Sequence, residues 1–258
     1  MRPRESPYCQ MVAEQNKIAI VRRLGMALPK QQNSFLAELS STELAALRPH
    51  LVPLELRVGD RLHSIAVAVD KVVFPHSGVV ALGIAEPEGI GPGILVGRGG
   101  VIRGFVAASR SPAVCDAEAC ASGQAHYIPA PAFRSLAENS PAIRRLLGKF
   151  ETARLARLQL AIRCHASHLV EARICRCLVE LQELTGTDEV PITQAMMAQM
   201  LGVRRTTVTL NIHRLEKAEV LRSRRGHMHI MNPGALKRHS CVCNTQLHEY
   251  LEALFDRR

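Results

Sequence analysis

Between Ser34 and Leu184 the apolar positions change their spacing twice, and each change marks a different kind of element. Between Ser34 and Pro49, residues Phe35, Leu36, Leu39, Leu44 and Leu47 recur at helical intervals, and Ser40 or Ser41 can cap a second short helix before Glu43. From about Val52 to Pro129 the runs shorten to VAVDKVVF, GVVALGIA and GPGILVG, separated by Gly, Pro, Asp and Ser. Val67, Val69, Val72 and Val73 supply the β-branching of strands, so this stretch predicts a β-barrel or β-sandwich without a long helix. After Pro131 the helical period returns. Ile143, Leu147, Phe150, Leu158 and Ala161 form an apolar stripe, with Arg144, Arg145 and Arg157 off it, on a helix of roughly 25 residues or ~37 Å. Such a stripe can bury against the barrel or against a second copy of the helix, and spacing alone leaves both open. A further helix, His168 to Leu184, carries Leu169, Ile174, Leu178, Leu181 and Leu184.

The most specific pattern lies in PITQAMMAQMLGVRRTTVTLNIHRLEKAEVLRSRRGHMHIMN. Thr193 is placed to cap a helix ending at Leu201; Ala198 allows close packing, and Gly202 four residues on suits a tight turn. A second helix from about Arg204 to Lys217 would bury Val208, Ile212 and Leu215. Its other face then presents Arg205, Thr206, Thr209, Leu210 and His213. Val220–Arg224 and His227–Ile230 flank Arg225-Gly226 as a two-stranded wing. Two helices about a Gly turn, followed by a wing, predict a winged helix-turn-helix whose second helix enters the major groove. Arg204 and Arg205 at a helix start oppose the helix dipole, a locally poor choice unless a phosphate or guanine edge faces them. The expected base-reading set is Arg204, Arg205, Thr206, Thr209 and His213; Thr193, Arg222, Arg224 and Arg225 are expected on phosphates.

Charge sharpens that picture. The net charge is +10, but Leu51–Ala130 holds six basic and seven acidic residues, while Glu189–Arg238 holds nine basic against three acidic. The excess therefore sits on the predicted winged helix, as a polyanionic partner requires. No run approaches the ~20 apolar residues of a membrane span, and no secretory signal is visible at the N-terminus, so a cytoplasmic protein with reduced thiols is expected.

Eight cysteines are unevenly placed. Cys175 and Cys177 on a helix point some 200° apart, which does not suit one metal ion, and Cys175 is expected in the core. Cys241-x-Cys243 would share one face of a post-wing strand, but without a second pair it is a weak metal signal. Cys164, His165 and His168 resemble a nucleophile with bases but lack an orienting acid or oxyanion hole. No metal, cofactor or catalytic residue is expected. The competing hypothesis is a thiol- or metal-dependent enzyme or redox sensor using Cys164, His165, His168, Cys241 and Cys243. The glycines at 91, 93, 97, 99 and 100 follow no phosphate-loop pattern.

VEARICRCLVEL followed by ITQAMMAQMLGVRRTTVT resembles the helix-turn-helix of the Crp/Fnr family of bacterial regulators. LRPHLVPLELRVGDRLHS and VVFPHSGVVALG resemble the first strands of its sensory barrel, and RLARLQLAIRCHASHLVEARI the end of its dimerisation helix. The resemblance implies an α+β chain: an N-terminal tail (1–30), a cyclic-nucleotide-binding-like β-barrel or jelly roll (31–135), a long dimerisation helix (136–167), a winged helix-turn-helix (168–238) and a C-terminal helix (239–258). It further implies a homodimer on a two-fold DNA operator, which assigns the apolar stripe to the dimer seam, and RNA polymerase as a further partner. No membrane partner is expected, and the small-molecule effector is unknown. Departures are informative. The recognition helix starts Arg205-Thr206-Thr207-Val208 where many relatives have Arg-Glu-Thr-Val, Leu210 replaces a later Arg, and Asn211 occupies a usually apolar position, which suggests a slightly shifted stripe. VGRGGVIRGFVAASRSPAVCDAEA has no Glu near its glycines and Arg110-Ser111 is out of register, so no cyclic-nucleotide response is expected. Cys9 alone does not make the N-terminal cysteine series of the iron–sulfur members.

Overall fold

The computed structural model describes residues 33–86, 89–91 and 93–255. The expectations for residues 1–30, including Cys9, lie outside the described residues. Asn33 caps α1 (Ser34–Ala37), accepting from the Leu36 N–H at 3.2 Å. Its amide donates to the Pro75 and Gly100 carbonyls, both at 2.8 Å, and so pins the helix to the barrel. The helix α2 (Ser41–Leu47) starts on the expected serine, with Ser40 and Glu43 forming a reciprocal capping box.

Nine strands follow among the described residues: β1 (Val52–Leu56), β2 (Arg61–His63), β3 (Lys71–Pro75), β4 (Val79–Gly83), β5 (Ala85–Glu86), β6 (Gly89–Ile90), β7 (Ile94–Val96), β8 (Asp116–Ala121) and β9 (Gly123–Pro129). They form two main antiparallel sheets, ordered β1-β9-β3 and β2-β8-β4-β7, beside a β5/β6 ladder. Leu56, Val73, Val80, Leu82, Ile102, Ala117, Ala119 and Ala125 fill the space inside. Before β8 the chain inserts a helix, α3 (Gly104–Ser109), where the sequence pattern predicted only strands and turns. FVAAS has too few residues for a helical period to show.

The scarce aromatics are concentrated beneath α1. Phe35 packs with Phe74, Phe133 and Phe150 at ring-centroid distances of 5.7, 6.5 and 5.3 Å, joining barrel and helices in one apolar cluster. Two helices lead out of the barrel: α4 (Ala130–Asn139) and the 27-residue α5 (Pro141–Ser167), capped by Ser140. The expected single stripe on α5 divides in two. Ile143, Leu147, Phe150 and Ala153 are buried on the barrel side, whereas Leu155, Leu158 and Ile162 are 54%, 38% and 70% exposed. Leu158 therefore belongs to a second face, and Ala161 is half-buried.

The C-terminal region contains α6 (Val170–Thr185), β10 (Glu189–Val190), α7 (Gln194–Leu201), α8 (Arg205–Lys217), β11 (Leu221–Arg224), β12 (His227–Ile230), α9 (Pro233–His239) and α10 (Cys243–Phe255). Ile174, Leu178, Met197, Leu201, Val208, Ile212, Leu215 and Leu236 share its core, which continues into Val79, Leu95 and Ala121 of the barrel. The wing is a three-stranded sheet, β10-β12-β11, because two residues before α7 add an unforeseen edge strand. The post-wing strand expected at Cys241–Cys243 is absent. A short helix, a turn and α10 replace it, since Asn232 and Pro233 start a helix directly after β12. Returning along α5, α10 sets Phe255 against Phe150 at 5.1 Å.

Candidate nucleic-acid interface

The turn between α7 and α8 is fixed by backbone chemistry. Thr193 accepts from the Met196 N–H at 3.2 Å, starting α7 as its side chain predicts. Gly202 adopts a φ of +60°, and the Val203 N–H reaches back to the Ala198 carbonyl at 3.0 Å. That six-residue loop back onto the helix is a Schellman closure, which favours glycine at its left-handed position. Ala198 is buried at the crossing, so the pair sets both the turn and the close approach of the helices.

Arg204 precedes α8 with no side-chain cap, leaving the first-turn N–H groups available to an anion. Val208, Ile212 and Leu215 are buried, as the spacing predicts. Asn211 is also buried, but its amide donates to the Thr207 carbonyl at 2.8 Å. Its polarity is satisfied one turn back, and the stripe is not shifted. Arg204, Arg205, Thr206, Thr209, Leu210 and His213 are exposed on the other side. His213 lies 3.9 Å from Glu216, an exposed contact worth little.

One organising residue gave no sequence signal. Gln194 accepts the Thr209 hydroxyl hydrogen bond at 2.7 Å, and its amide reaches the Ser223 hydroxyl at 3.3 Å. The Ser223 N–H donates to Glu216 at 2.8 Å. These bonds tie the first helix, the second helix and the wing together. The pairing that signals this role joins residues 15 and 29 positions apart, which no local pattern reveals. On the wing, Arg222, Arg224 and Arg225 are exposed, with Arg222 opposite His229, Arg224 opposite His227 and Gly226 at a φ of +86°.

The barrel treats its arginines differently. Arg110 is exposed and pairs with Glu138 at 3.3 Å, while Arg103 is buried and donates to the Cys115 carbonyl.

A second constellation forms where α5 meets the α9–α10 turn. Cys164, in the last turn of α5, lies 3.5 Å from Cys241, sulfur to sulfur. Cys243 Sγ lies 3.6 Å from Nδ1 of His168, and donor atoms of all four residues fall within 4.8 Å of one another. The Cys164–Cys241 hydrogen bond draws Cys241 toward the thiolate at the expense of Cys164. His165 is turned away, with Nδ1 facing the Arg173 guanidinium at 3.0 Å. The nucleophile-and-base arrangement of Cys164 with His165 therefore does not assemble. Burial pushes the thiols of both Cys175 and Cys177 up to about 12, as befits core residues.

A two-sheet antiparallel barrel, a long helix and a winged helix-turn-helix follow one another in that order along the chain. Residues 172–239 match the family model of the Crp-like helix-turn-helix domain. The fold is similar to that of a Crp/Fnr-family transcriptional regulator from Eubacterium rectale, at a TM-score of 0.63 and 17% identity, covering 81% of this chain and 99% of that one. A Crp/Fnr-family regulator from Thermus thermophilus gives 0.62 and 22%, covering 73% and 98%. The c-di-GMP-responsive global regulator CLP of Xanthomonas campestris gives 0.61 and 13%, covering 74% and 99%. No curated protein matches the chain in sequence. Residues 172–239 thus form a Crp-like helix-turn-helix domain, and the chain as a whole shares the fold of these regulators. No helix among the described residues is long and apolar enough to cross a membrane.

Proposed function

We propose that the protein acts as a homodimer on a two-fold DNA operator, with α8 in the major groove and the wing on the flanking backbone. The observation that carries this reading is the exposed face of α8, backed by its fully buried stripe and flanked by the wing arginines. Arg205, Thr206 and Thr209, with Arg204 and His213 at the margins, read base edges. Thr193, Arg222, Arg224 and Arg225 hold phosphates. Leu155, Leu158 and Ile162 repeat at intervals of three and four on the outer face of α5, the spacing of a helix-to-helix seam, and support the dimer. RNA polymerase is the further partner, and the cytoplasm the place of action. The chain has no catalytic role in this reading.

The signal is other than a cyclic nucleotide. Two features support this: Arg110 is engaged with Glu138 at the surface, and the buried Arg103 guanidinium donates to the Cys115 carbonyl. A buried cyclic phosphate would lack its guanidinium partner.

Selection of bound duplexes from a random library tests the whole reading. The expected result is an inverted repeat with half-site centres about one helical turn apart. Retention of no sequence at low salt, or of a single unrepeated site, defeats it. Isothermal titration with cyclic AMP and cyclic GMP should show no heat of binding.

A further inference from the structure

We propose that Cys164, His168, Cys241 and Cys243 form a closed tetrahedral site for one zinc ion. The four residues come from two places far apart in sequence: the last turn and C-cap of α5, and the turn leading into α10. Cys164 and His168 are one helical turn apart, and the His168 N–H donates to the Cys164 carbonyl at 3.1 Å. That main-chain bond fixes the end of the helix, and the imidazole nitrogen lies within 4.8 Å of the sulfur. Cys241 comes from the turn before α10 and Cys243 is the first residue of that helix.

The distances suit the ion. Zinc–thiolate bonds of about 2.3 Å place neighbouring sulfurs of a tetrahedron about 3.8 Å apart, and sulfur and nitrogen slightly closer. The observed 3.5 Å between Cys164 and Cys241, and 3.6 Å between Cys243 and His168, lie near those edges. Three sulfurs and an imidazole nitrogen are borderline-soft donors, which favour zinc over magnesium or calcium. Four protein donors leave no open position for water, so the site is structural rather than catalytic.

Charge also fits. Three thiolates around a divalent ion leave one net negative charge. Arg176 acts electrostatically on Cys164 and Cys241, and Arg163 on Cys243. Arg176 is largely occupied by Glu180 at 3.1 Å, but its Nε is buried without a hydrogen-bond partner. Cys164 and Cys243 are 0% and 2% exposed, so the site is shielded from bulk water on the side of the core. An ion here would staple the end of the long helix to the segment that follows the wing.

The test uses the full-length protein, purified reduced and without chelator, with metal content measured by mass spectrometry. Zinc stoichiometric with the chain is expected, and its loss in Cys241→Ser and Cys243→Ser. Cys241 lies in a partly exposed turn, so Cys241→Ser should keep the parent far-ultraviolet circular dichroism, and zinc loss then reports coordination rather than unfolding. Metal-free protein titrated with cobalt(II) should develop visible d–d bands of tetrahedral intensity and a near-ultraviolet thiolate charge-transfer band, both abolished by added zinc. Folded, reduced protein that carries no zinc and gives no such spectrum overturns the proposal. So does zinc that persists in both serine variants, or a Cys164–Cys241 disulfide that forms in air and is not prevented by zinc.

Discussion

At the scale of single residues, Arg205 and Arg224 are both exposed cations on the same domain, yet the proposed complex gives them different chemistry. Arg205 opens α8, where a bidentate contact with guanine contributes about 1–3 kcal/mol of discrimination. Arg205→Ala should therefore weaken the preferred operator by roughly ten- to a hundredfold and relax one base position in each half-site. Arg224 ends β11 beside the wing turn, where the proposed complex offers it the DNA backbone. Arg224→Ala should weaken all duplexes alike and reduce the salt slope by about one. Fluorescence anisotropy over a salt series, repeated on a randomised pool, separates the two; identical profiles would erase the division of roles. In the barrel, His76 Nε2 and His126 Nδ1 lie 2.6 Å apart. Burial, and then His126, pull His76 down from 6.5 to about 4, and burial lowers His126 as well. A histidine that stays neutral when folded but protonates near 6.5 when unfolded makes the unfolded state the better proton acceptor at low pH. Stability is thus complete above about pH 6.5 and is lost as pH falls toward 4. Melting temperatures recorded down this range should fall less steeply in His76→Leu than in the parent protein.

At the scale of elements, the winged helix shows what a sequence can and cannot specify. The α7–α8 pair was legible because local chemistry determines it: Thr193 caps, Gly202 turns, and Val208, Ile212 and Leu215 repeat at the helical period. Gly202→Ala tests the turn. An L-residue in the left-handed region costs about 1–2 kcal/mol, so the melting temperature should drop by a few degrees and operator affinity should fall with the changed helix crossing. An unchanged melting temperature would mean that the loop relaxes out of that conformation. Elements too short to show a period were not legible, namely α3, β10 and the helix that replaces the post-wing strand. The Cys164–His168–Cys241–Cys243 cluster was hidden for another reason. Its halves are separated by the whole DNA-binding domain, and only the packing of α10 along α5 brings them together. Gln194 was hidden likewise, because its role lies in two contacts across the domain.

At the scale of the whole molecule, the decisive feature is the division of α5 into two faces. Its inner face is committed to the barrel through Ile143, Leu147 and Phe150, so those residues cannot also serve a second chain. Leu155, Leu158 and Ile162 remain on the outside, within the C-terminal half of the helix. Burying the part of each side chain that remains exposed, at about 25 cal/mol per Å² of apolar surface on both helices, contributes to the energy of a dimer. In the proposed dimer, operator binding depends on that seam, because joining two half-site readers makes the second contact intramolecular and raises avidity by a factor of about 10²–10⁴. Leu158, at the centre of the three, is the position to probe, since an aspartate there places a charge in each copy where the helices meet. Sedimentation should show the parent as a dimer and Leu158→Asp as a monomer, with unchanged circular dichroism because this side chain leaves the barrel core untouched. Affinity for the full operator should fall by at least tenfold in the variant, while binding to an isolated half-site stays within about twofold. A variant that remains dimeric places the interface elsewhere, and a monomeric variant with full operator affinity means that two-fold DNA does not need the seam on α5.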